Sequence, residues 1–311
     1  MYQITIGIAT YNSASFVEET LNSIYVQHYS DIHLIISDDF STDDTKHIVE
    51  NWIAKEDVKN RFLSIQFLSV DKNTGVSANC NKIIAASKTE WIKFIAGDDI
   101  LLPNCIQDNL NFVSQNPNSK ILFSQVEVYN NTFEKENYQR TTPEEFPLNL
   151  FNPTFSAKDQ FKILCECDRI HFTPSFMFHK SAVLSVGGYD ETERLVEDYP
   201  MWLKLTKSGF KLDYFHIPTV GYRIHKNATN NTGEVLFKPS VINGIKVRRK
   251  YAHAHLNRFV VLSEYWGYYI SKLFMFLNIE KPTKLNKIVY KLLVIYFNPF
   301  VYIVAMQKRL R

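Results

Sequence analysis

Two carboxylate doublets, Asp38-Asp39 and Asp98-Asp99, stand sixty residues apart and are the side chains best suited to do chemistry. Each follows a short apolar run, Leu34–Ile36 in the first case and Trp91–Ile95 in the second, which reads as a buried strand. The acids therefore fall where an α/β sheet binds ligands, in the crevice beyond the carboxyl ends of its strands. Four carboxylates gathered there repel one another unless a cation or a donor-rich ligand neutralises them. The pattern predicts a metal-assisted site for a charged ligand.

Asp98 and Asp99 suit a divalent ion, because Mg²⁺ or Mn²⁺ is held by one or two carboxylates together with substrate phosphates and water. Thr42, Asp43 and Asp44 fit the capping of a following helix, which leaves Asp38 and Asp39 for ligand donors. Thr10-Tyr11-Asn12 closes the first strand, where the Tyr11 ring packs either on a planar base or on the sheet. Glu197-Asp198 precedes Trp202-Leu203-Lys204-Leu205, so both acids open a helix whose dipole favours their ionised forms. One of them can act as a general base, or both are ordinary helix-start charges. In Tyr222-Arg223-Ile224-His225 the strand alternation puts Arg223 and His225 on one face. There they can meet phosphate oxygens or pair with the acidic body.

The elements that must position these residues are strand and helix in alternation over the first 125 residues. Strands are expected at Ile4–Ala9, Leu34–Ile36, Leu63–Leu68, Trp91–Ile95 and Ile121–Val128. Ser13 or Ser15 is placed to cap the first helix, Asn73–Ser77 forms a turn, and Pro103 opens a helix at a favoured first-turn position. Repeated βα units imply an α/β, Rossmann-like, mostly parallel sheet flanked by helices. Residues 130–157, rich in Asn, Thr, Glu and Pro, read as a long mobile loop. Beyond it come a helix at Lys180–Val186 ending at Gly187-Gly188, a helix at Met201–Lys207, a strand near Lys211–Phe215 and the segment Val220–His225.

The 311 residues are 45% apolar and 14% aromatic, which excludes general disorder. Cys80, Cys105, Cys165 and Cys167 make no disulfide framework at this length, and Cys165-Glu166-Cys167 is too small a set for structural zinc. A reduced, cytoplasmic setting is expected, with no secretory signal ahead of the first strand. The net charge of +3 hides an asymmetry: Lys246 to Arg311 carries thirteen Lys or Arg against Glu264 and Glu280, a net +11, leaving −8 on the rest. Ile288–Met306 is strongly apolar, and nineteen helical residues would span about 28 Å, but Lys291, Asn298 and Pro299 interrupt it. Two amphipathic helices lying peripherally on an anionic membrane surface are expected of 246–311, against the plainer reading of a helical pair packed on the body. Its long apolar runs suit lipid rather than nucleic acid.

Taken in order, Thr10-Tyr11-Asn12, Asp38-Asp39-x-Ser41-x-Asp43, Asn73-x-Gly75-x-Ser77 with Asn81, Gly97-Asp98-Asp99, Gly187-Gly188-Tyr189-Asp190-Glu191, Glu197-Asp198 and Tyr222-Arg223-x-His225 resemble the family 2 inverting glycosyltransferases of GT-A fold. The resemblance covers roughly residues 1 to 230. It implies a catalytic domain over 1–230, with a nucleotide-binding half at 1–125 and an acceptor half at 126–230, followed by a basic, aromatic-rich helical tail at 231–311. It further implies a nucleotide-sugar donor (UDP-linked in most members), a glycan or lipid-linked acceptor, and Mn²⁺ or Mg²⁺. By the same resemblance Tyr11 and Asp39 match base-binding positions, with Thr10 and Asp38 beside them. Asp98 matches a ribose or metal contact, Asp99 the metal carboxylate and Asp198 the catalytic base. Glu197, Arg223 and His225 lie with the acceptor or diphosphate. Two positions depart: Ala96 stands where many members carry the first acid of a D-x-D motif, and Cys80 where many carry Arg. A nucleotidyltransferase and a non-catalytic nucleotide- or glycan-binding relative are the competing classes. The first lacks a basic Gly-rich loop after strand one, and retention of Asp99 and Asp198 speaks against the second.

Overall fold

The computed structural model describes residues 2–192, 197–226, 235–237 and 239–309. Two units emerge, Met1–Phe161 with Arg169–His225, and Lys162–Asp168 with Lys226–Arg311. The expected boundary at 230/231 lies outside the described residues.

The first unit is built on strands β1 (Ile4–Thr10), β2 (Ile32–Asp38), β3 (Ser64–Ser69), β4 (Trp91–Ala96), β5 (Ile100–Leu101), β6 (Ile121–Asn130), β7 (Tyr138–Thr142), β8 (Met177–His179) and β9 (Leu212–Ile224). Helices α1 (Val17–Tyr25), α2 (Thr45–Ala54), α3 (Glu56–Arg61), α4 (Val76–Ala86), α5 (Cys105–Gln115), α6 (Leu148–Phe151), α7 (Ala157–Glu166, whose residues from Lys162 on belong to the second unit), α8 (Lys180–Ser185) and α9 (Asp198–Lys207) are threaded between them. The sheet runs β3-β2-β1-β4-β8-β6-β9-β5, with β7 paired on β6. The strands β1 to β4 are parallel, and near-continuous apolar runs such as Ile4-Thr5-Ile6-Gly7-Ile8 are covered on both faces. From β1 the chain steps outward to β2 and β3, then returns to lay β4 on the other side of β1. The order thus reverses between β1 and β4, and the crevice beyond their carboxyl ends is where such a sheet receives a ligand. Gly7 lets α4 lie close: a Cβ there would sit 2.4 Å from Ile83 Cγ2 and 2.9 Å from the Phe94 ring.

Several local expectations are corrected. Residues 130–157 are not a structureless loop. They hold β7, paired antiparallel with β6 from Val126↔Thr142 to Tyr129↔Tyr138 with a register shift after Val128, and the short helix α6. Tyr-Gln-Arg-Thr-Thr is a polar strand with largely exposed side chains, so it lacks an apolar alternation to reveal it. The two segments expected near 211–215 and 220–225 are one strand, β9, whose register against β6 shifts between Phe123↔Tyr214 and Val126↔Val220. Pro218 and the irregular pairing there disguise its continuity. Neither Ser13 nor Ser15 caps α1 by its side chain. The Ser13 carbonyl accepts the amides of Phe16 and Val17 instead. Helix α5 begins at Cys105, just after Pro103 rather than with it. Asp43, not Asp44, serves the start of α2, accepting from Thr45 N at 3.1 Å and Thr45 Oγ1 at 2.6 Å.

Lys93 lies fully buried in β4, its Nζ donating to the carbonyls of Pro174 at 2.5 Å and Phe176 at 3.3 Å. These bonds fasten β4 to the turn that precedes β8.

The second unit contains α10 (Pro239–Tyr251), α11 (Arg258–Phe276), α12 (Lys284–Lys291) and α13 (Pro299–Arg309). Helix α12 runs on as a π-helical turn, Leu292–Tyr296. Arg248 meets both oxygens of Glu264, Nε at 2.6 Å and Nη2 at 2.5 Å, and donates to the Cys165 carbonyl at 2.8 Å. His253 Nε2 lies 2.9 Å from the same carboxylate. Trp266 Nε1 donates to the Leu293 carbonyl inside the π turn, and the Ser271 and Tyr290 hydroxyls join α11 to α12.

Burial pulls the Lys93 ammonium down to about 8 from its ordinary 10.5, although the charges of Cys105 and Asp99 act in the opposite sense. With its folded pKa depressed, the native state binds fewer protons than the unfolded chain between pH 8 and 10.5, so this residue's contribution improves as pH rises through that window. Compared with Lys93→Met, the wild type should gain up to about 1.4 kcal/mol per pH unit there and show no relative trend below pH 8. Urea unfolding of both proteins at stepped pH measures the difference, and a flat difference from pH 8 to 10 would mean that Lys93 enters the fold charged.

Candidate active site

The turn after β4 carries the second acidic doublet. Gly97 donates its amide to the Ala9 carbonyl, and a Cβ on it would approach Thr10 Cγ2 at 2.9 Å and Ser13 Oγ at 3.0 Å, so only glycine lets this turn close on the end of β1. Asp99 is buried: its carbonyl accepts from Thr20 Oγ1 at 2.7 Å and its Oδ1 accepts from the Arg223 amide at 2.8 Å. Burial first, and the charge of Asp98 second, push the Asp99 carboxyl well above the usual range, with Arg223 and Lys93 acting against them. The Asp98 side chain is 31% exposed, and its Oδ2 lies 3.1 Å from His225 Nε2. The His225 ring packs on Phe16 at 4.4 Å between centroids. Asp98 and His225 therefore meet beyond the carboxyl end of β4, with Asp99 buried behind them against the Arg223 amide. Ala96, where an additional acid would have stood, ends β4 with an exposed side chain.

Arg223, expected to face phosphate, is only 2% exposed. Its Nε donates to the Asp98 carbonyl at 2.7 Å, one Nη to the Asn131 carbonyl, and the other to Glu19 Oε2 at 2.5 Å. Phe16 and Phe133 lie 4.5 and 4.2 Å from its guanidinium carbon. Every face of the guanidinium is occupied by protein.

The first doublet is engaged in the same way. Asp38 Oδ1 accepts from Thr10 Oγ1 at 3.0 Å and Ser41 Oγ at 2.5 Å, and Oδ2 from the Ser41 amide at 2.9 Å. Asp39 accepts from Thr74 N and Oγ1, from Gly75 N at 2.7 Å and from Lys82 Nζ at 3.3 Å. Burial alone would raise the Asp39 pKa, but the bonds from Thr74, Gly75 and Lys82 outweigh it and hold the carboxyl below its ordinary value. Both carboxylates, read from the sequence as free for ligand donors, are instead 2% exposed and fix loops. The donors to Asp39 lie some 35 residues downstream, where no local signal reveals them. Tyr11 does stand open, 51% exposed, between left-handed backbone at Asn12 (φ 50°) and Phe40 (φ 68°). Beside the Asp39 loop is a cleft of about 610 Å³ whose lining includes Lys72, Thr74, Asn81, Lys82 and Glu191.

Asp198 is the first residue of α9 and Glu197 its N-cap. Burial raises the Glu197 carboxyl. The charges of both acids also act to raise the buried Cys80 thiol, after burial itself, and the Tyr189 hydroxyl, after burial and Cys80. Tyr189 in turn packs on Phe94 of β4 at 6.2 Å. Asn81, which sequence motifs named without a role, holds this segment by both ends of its amide. It accepts from Tyr189 N at 2.8 Å and donates to Tyr189 O at 3.0 Å and Glu191 Oε1 at 2.8 Å. A Cβ on Gly188, at φ 66°, would come within 2.7 Å of Asn81 Oδ1.

Residues 5–183 match the sequence profile described as Glycosyl transferase family 2. The chain belongs to that family. Among its relatives is the UDP-Gal:alpha-D-GlcNAc-diphosphoundecaprenol beta-1,3-galactosyltransferase of Escherichia coli, 24% identical over 78% of this chain and 80% of the relative. The UDP-Glc:alpha-D-GlcNAc-diphosphoundecaprenol beta-1,3-glucosyltransferase WfaP of the same species is 23% identical over 80% and 88%. Among solved structures, Staphylococcus aureus TarS 1-349 in complex with UDP-GlcNAc superposes with a TM-score of 0.62 at 16% identity, covering 96% of this chain and 82% of that one. Of the longer TarS chain the match spans 44%. The fold of this glycosyltransferase is thus GT-A, with a helical C-terminal addition.

In this family 2 glycosyltransferase no group of three or more His, Cys, Asp or Glu able to hold a metal occurs among the described residues. The donor set at Asp98 and Asp99 still suits Mg²⁺ or Mn²⁺, which need few protein ligands when a diphosphate supplies the rest. A buried carboxylate that resists ionisation is also one that a cation would stabilise.

Because Arg223 ties four segments together, Arg223→Ala should lower unfolding free energy by about 3 kcal/mol, the scale of breaking a buried pair. Arg223→Lys should recover less than half, since an ammonium cannot span three acceptors in the guanidinium plane. Denaturant midpoints and slopes for the three proteins check this, and equal midpoints would remove Arg223 from its structural role.

Proposed function

We propose that this glycosyltransferase moves a sugar from a UDP-sugar to a hydroxyl of a lipid-linked glycan, inverting the anomeric centre, with help from a divalent cation. The observation that carries the reading is the Asp98–His225 pair, with buried Asp99 behind it, at the switch point of the sheet. The names of the two Escherichia coli relatives support UDP-linked donors and a diphosphoundecaprenol-linked acceptor.

On this reading Tyr11, open at the end of β1, packs against the base, and Thr10, Asp38 and Asp39 hold the loops that frame it. Asp99 is the metal carboxylate, with Asp98 beside it facing ribose and ion, and His225 completes that edge. Mn²⁺ or Mg²⁺ held there would neutralise charge developing on the diphosphate leaving group. No protein acid is then needed on that oxygen, in contrast to glycoside hydrolysis, where a second carboxyl protonates it. One base suffices to take the acceptor proton. Asp198 fits the role implied by the family pattern, standing as the first residue of α9, where the helix dipole favours a carboxylate. Arg223 acts through the Asp98–Asp99 turn as a positioning residue rather than on the diphosphate.

Asp198→Asn should leave the affinity for UDP within about twofold while lowering transfer by about 10²–10⁴-fold. Calorimetric UDP titration and a radiolabelled-sugar transfer assay separate the two effects, and near-normal turnover would sink the base assignment. Asp99→Asn should abolish the rise in donor affinity that Mn²⁺ gives the wild type. A metal response that survives this substitution would move the ion elsewhere.

A further inference from the structure

The second unit leaves an extended apolar surface uncovered. On α12 and the turn that continues it, Leu285, Ile288, Leu292, Ile295 and Tyr296 are exposed at spacings of three, four, three and one, which places them along one face. Elsewhere in the unit Tyr269, Leu273 and Phe276 of α11, the last 82% exposed, and Phe297, Tyr302 and Met306 are exposed as well. The opposite side of α12 is occupied: Tyr290 bonds Ser271 and packs edge-on against Phe274. Lys284, Lys287 and Lys291, spaced three and four apart, form an exposed basic ridge next to the apolar stripe. Of the two acids in 246–311, a segment of net charge +11, Glu264 is turned inward onto Arg248 and His253.

We propose that this surface seats the protein on an anionic lipid bilayer, with the apolar stripe at the acyl boundary and the lysine ridge among the headgroup phosphates. An in-plane amphipathic helix with lysines flanking aromatic and aliphatic residues is the arrangement that such a boundary binds. No single helix among the described residues is long and apolar enough to cross a membrane; Lys284–Tyr296 and Pro299–Gln307 reach that length and composition only together, across a 44° bend. The bend is built in. Buried Asn298 donates to Ser263 Oγ at 2.9 Å and Pro299 starts the next helix, which fixes the break between the two segments. A second copy offering the same face would set the lysine ridge Lys284, Lys287 and Lys291 against its own counterpart, whereas anionic headgroups neutralise it. This inference concerns the second unit and stands without the catalytic reading.

Vesicle flotation with the full-length protein tests it, using phosphatidylcholine alone and with about 30 mol% phosphatidylglycerol. Flotation with the anionic vesicles is expected, weaker by about tenfold on neutral ones and in high salt. The variant Phe276→Glu/Leu285→Glu/Phe297→Glu changes only exposed positions and should lose about tenfold or more of the partitioning while retaining UDP binding and helical circular dichroism. Lys284→Glu/Lys287→Glu/Lys291→Glu should lose the preference for anionic lipid. Absence of flotation on both vesicles, or unchanged flotation of the first variant, overturns the proposal. So does a light-scattering mass of two chains that falls to one in that variant without any lipid binding, which would give the face to a second copy.

Discussion

A buried guanidinium organises the first unit. Arg223 sits almost without solvent between two aromatic rings, and its hydrogen bonds run to α1 through Glu19, to the β4 turn through the Asp98 carbonyl, and to the end of β6 through Asn131. Its own amide holds Asp99. A charge withdrawn from water is tolerable only when its donors are met, and here each donor is met by a different stretch of chain. The same requirement that keeps the guanidinium satisfied thereby fixes the acidic turn against the last strand of the sheet.

This division of labour recurs around the crevice. Asp38 and Asp39 hold loops by accepting hydroxyl and amide donors, and Asn81 clasps the Tyr189–Glu191 segment that leads toward α9. Buried polar side chains in such networks set geometry, while the groups left accessible, Tyr11 and Asp98, face outward. Left-handed backbone at Asn12 and Phe40 belongs to the same rim, where a sharp change of direction exposes the end of β1. Rigid posts behind an accessible edge are what a site needs to orient a flexible nucleotide and its diphosphate.

The parallel core was legible because its strands are buried on both faces and read as continuous apolar runs between helical periods. The acidic doublets were found for the same reason, lying directly after those runs. The polar strand β7 is hidden in the sequence because a largely exposed edge strand carries no apolar alternation, and the irregularity around Pro218 makes β9 read as two segments. Lys93 could not be recognised as buried, since a single lysine within an apolar run is found inside only when backbone carbonyls such as those of Pro174 and Phe176 happen to meet it.

By itself the sequence determined the order of βα units, the reversal-prone placement of acids at strand ends, membership of the glycosyltransferase pattern and the basic, apolar character of the C-terminal helices. These depend on periodicity and on side-chain type, which are local. Only the tertiary structure decided which carboxylates are bound by protein and which are open, that Arg223 is internal rather than at the surface, and that Asp98 meets His225 across 127 positions. Hydrogen-bond donors arriving from distant segments make that decision, and their arrival depends on how the strands are ordered in the sheet, which local spacing does not encode.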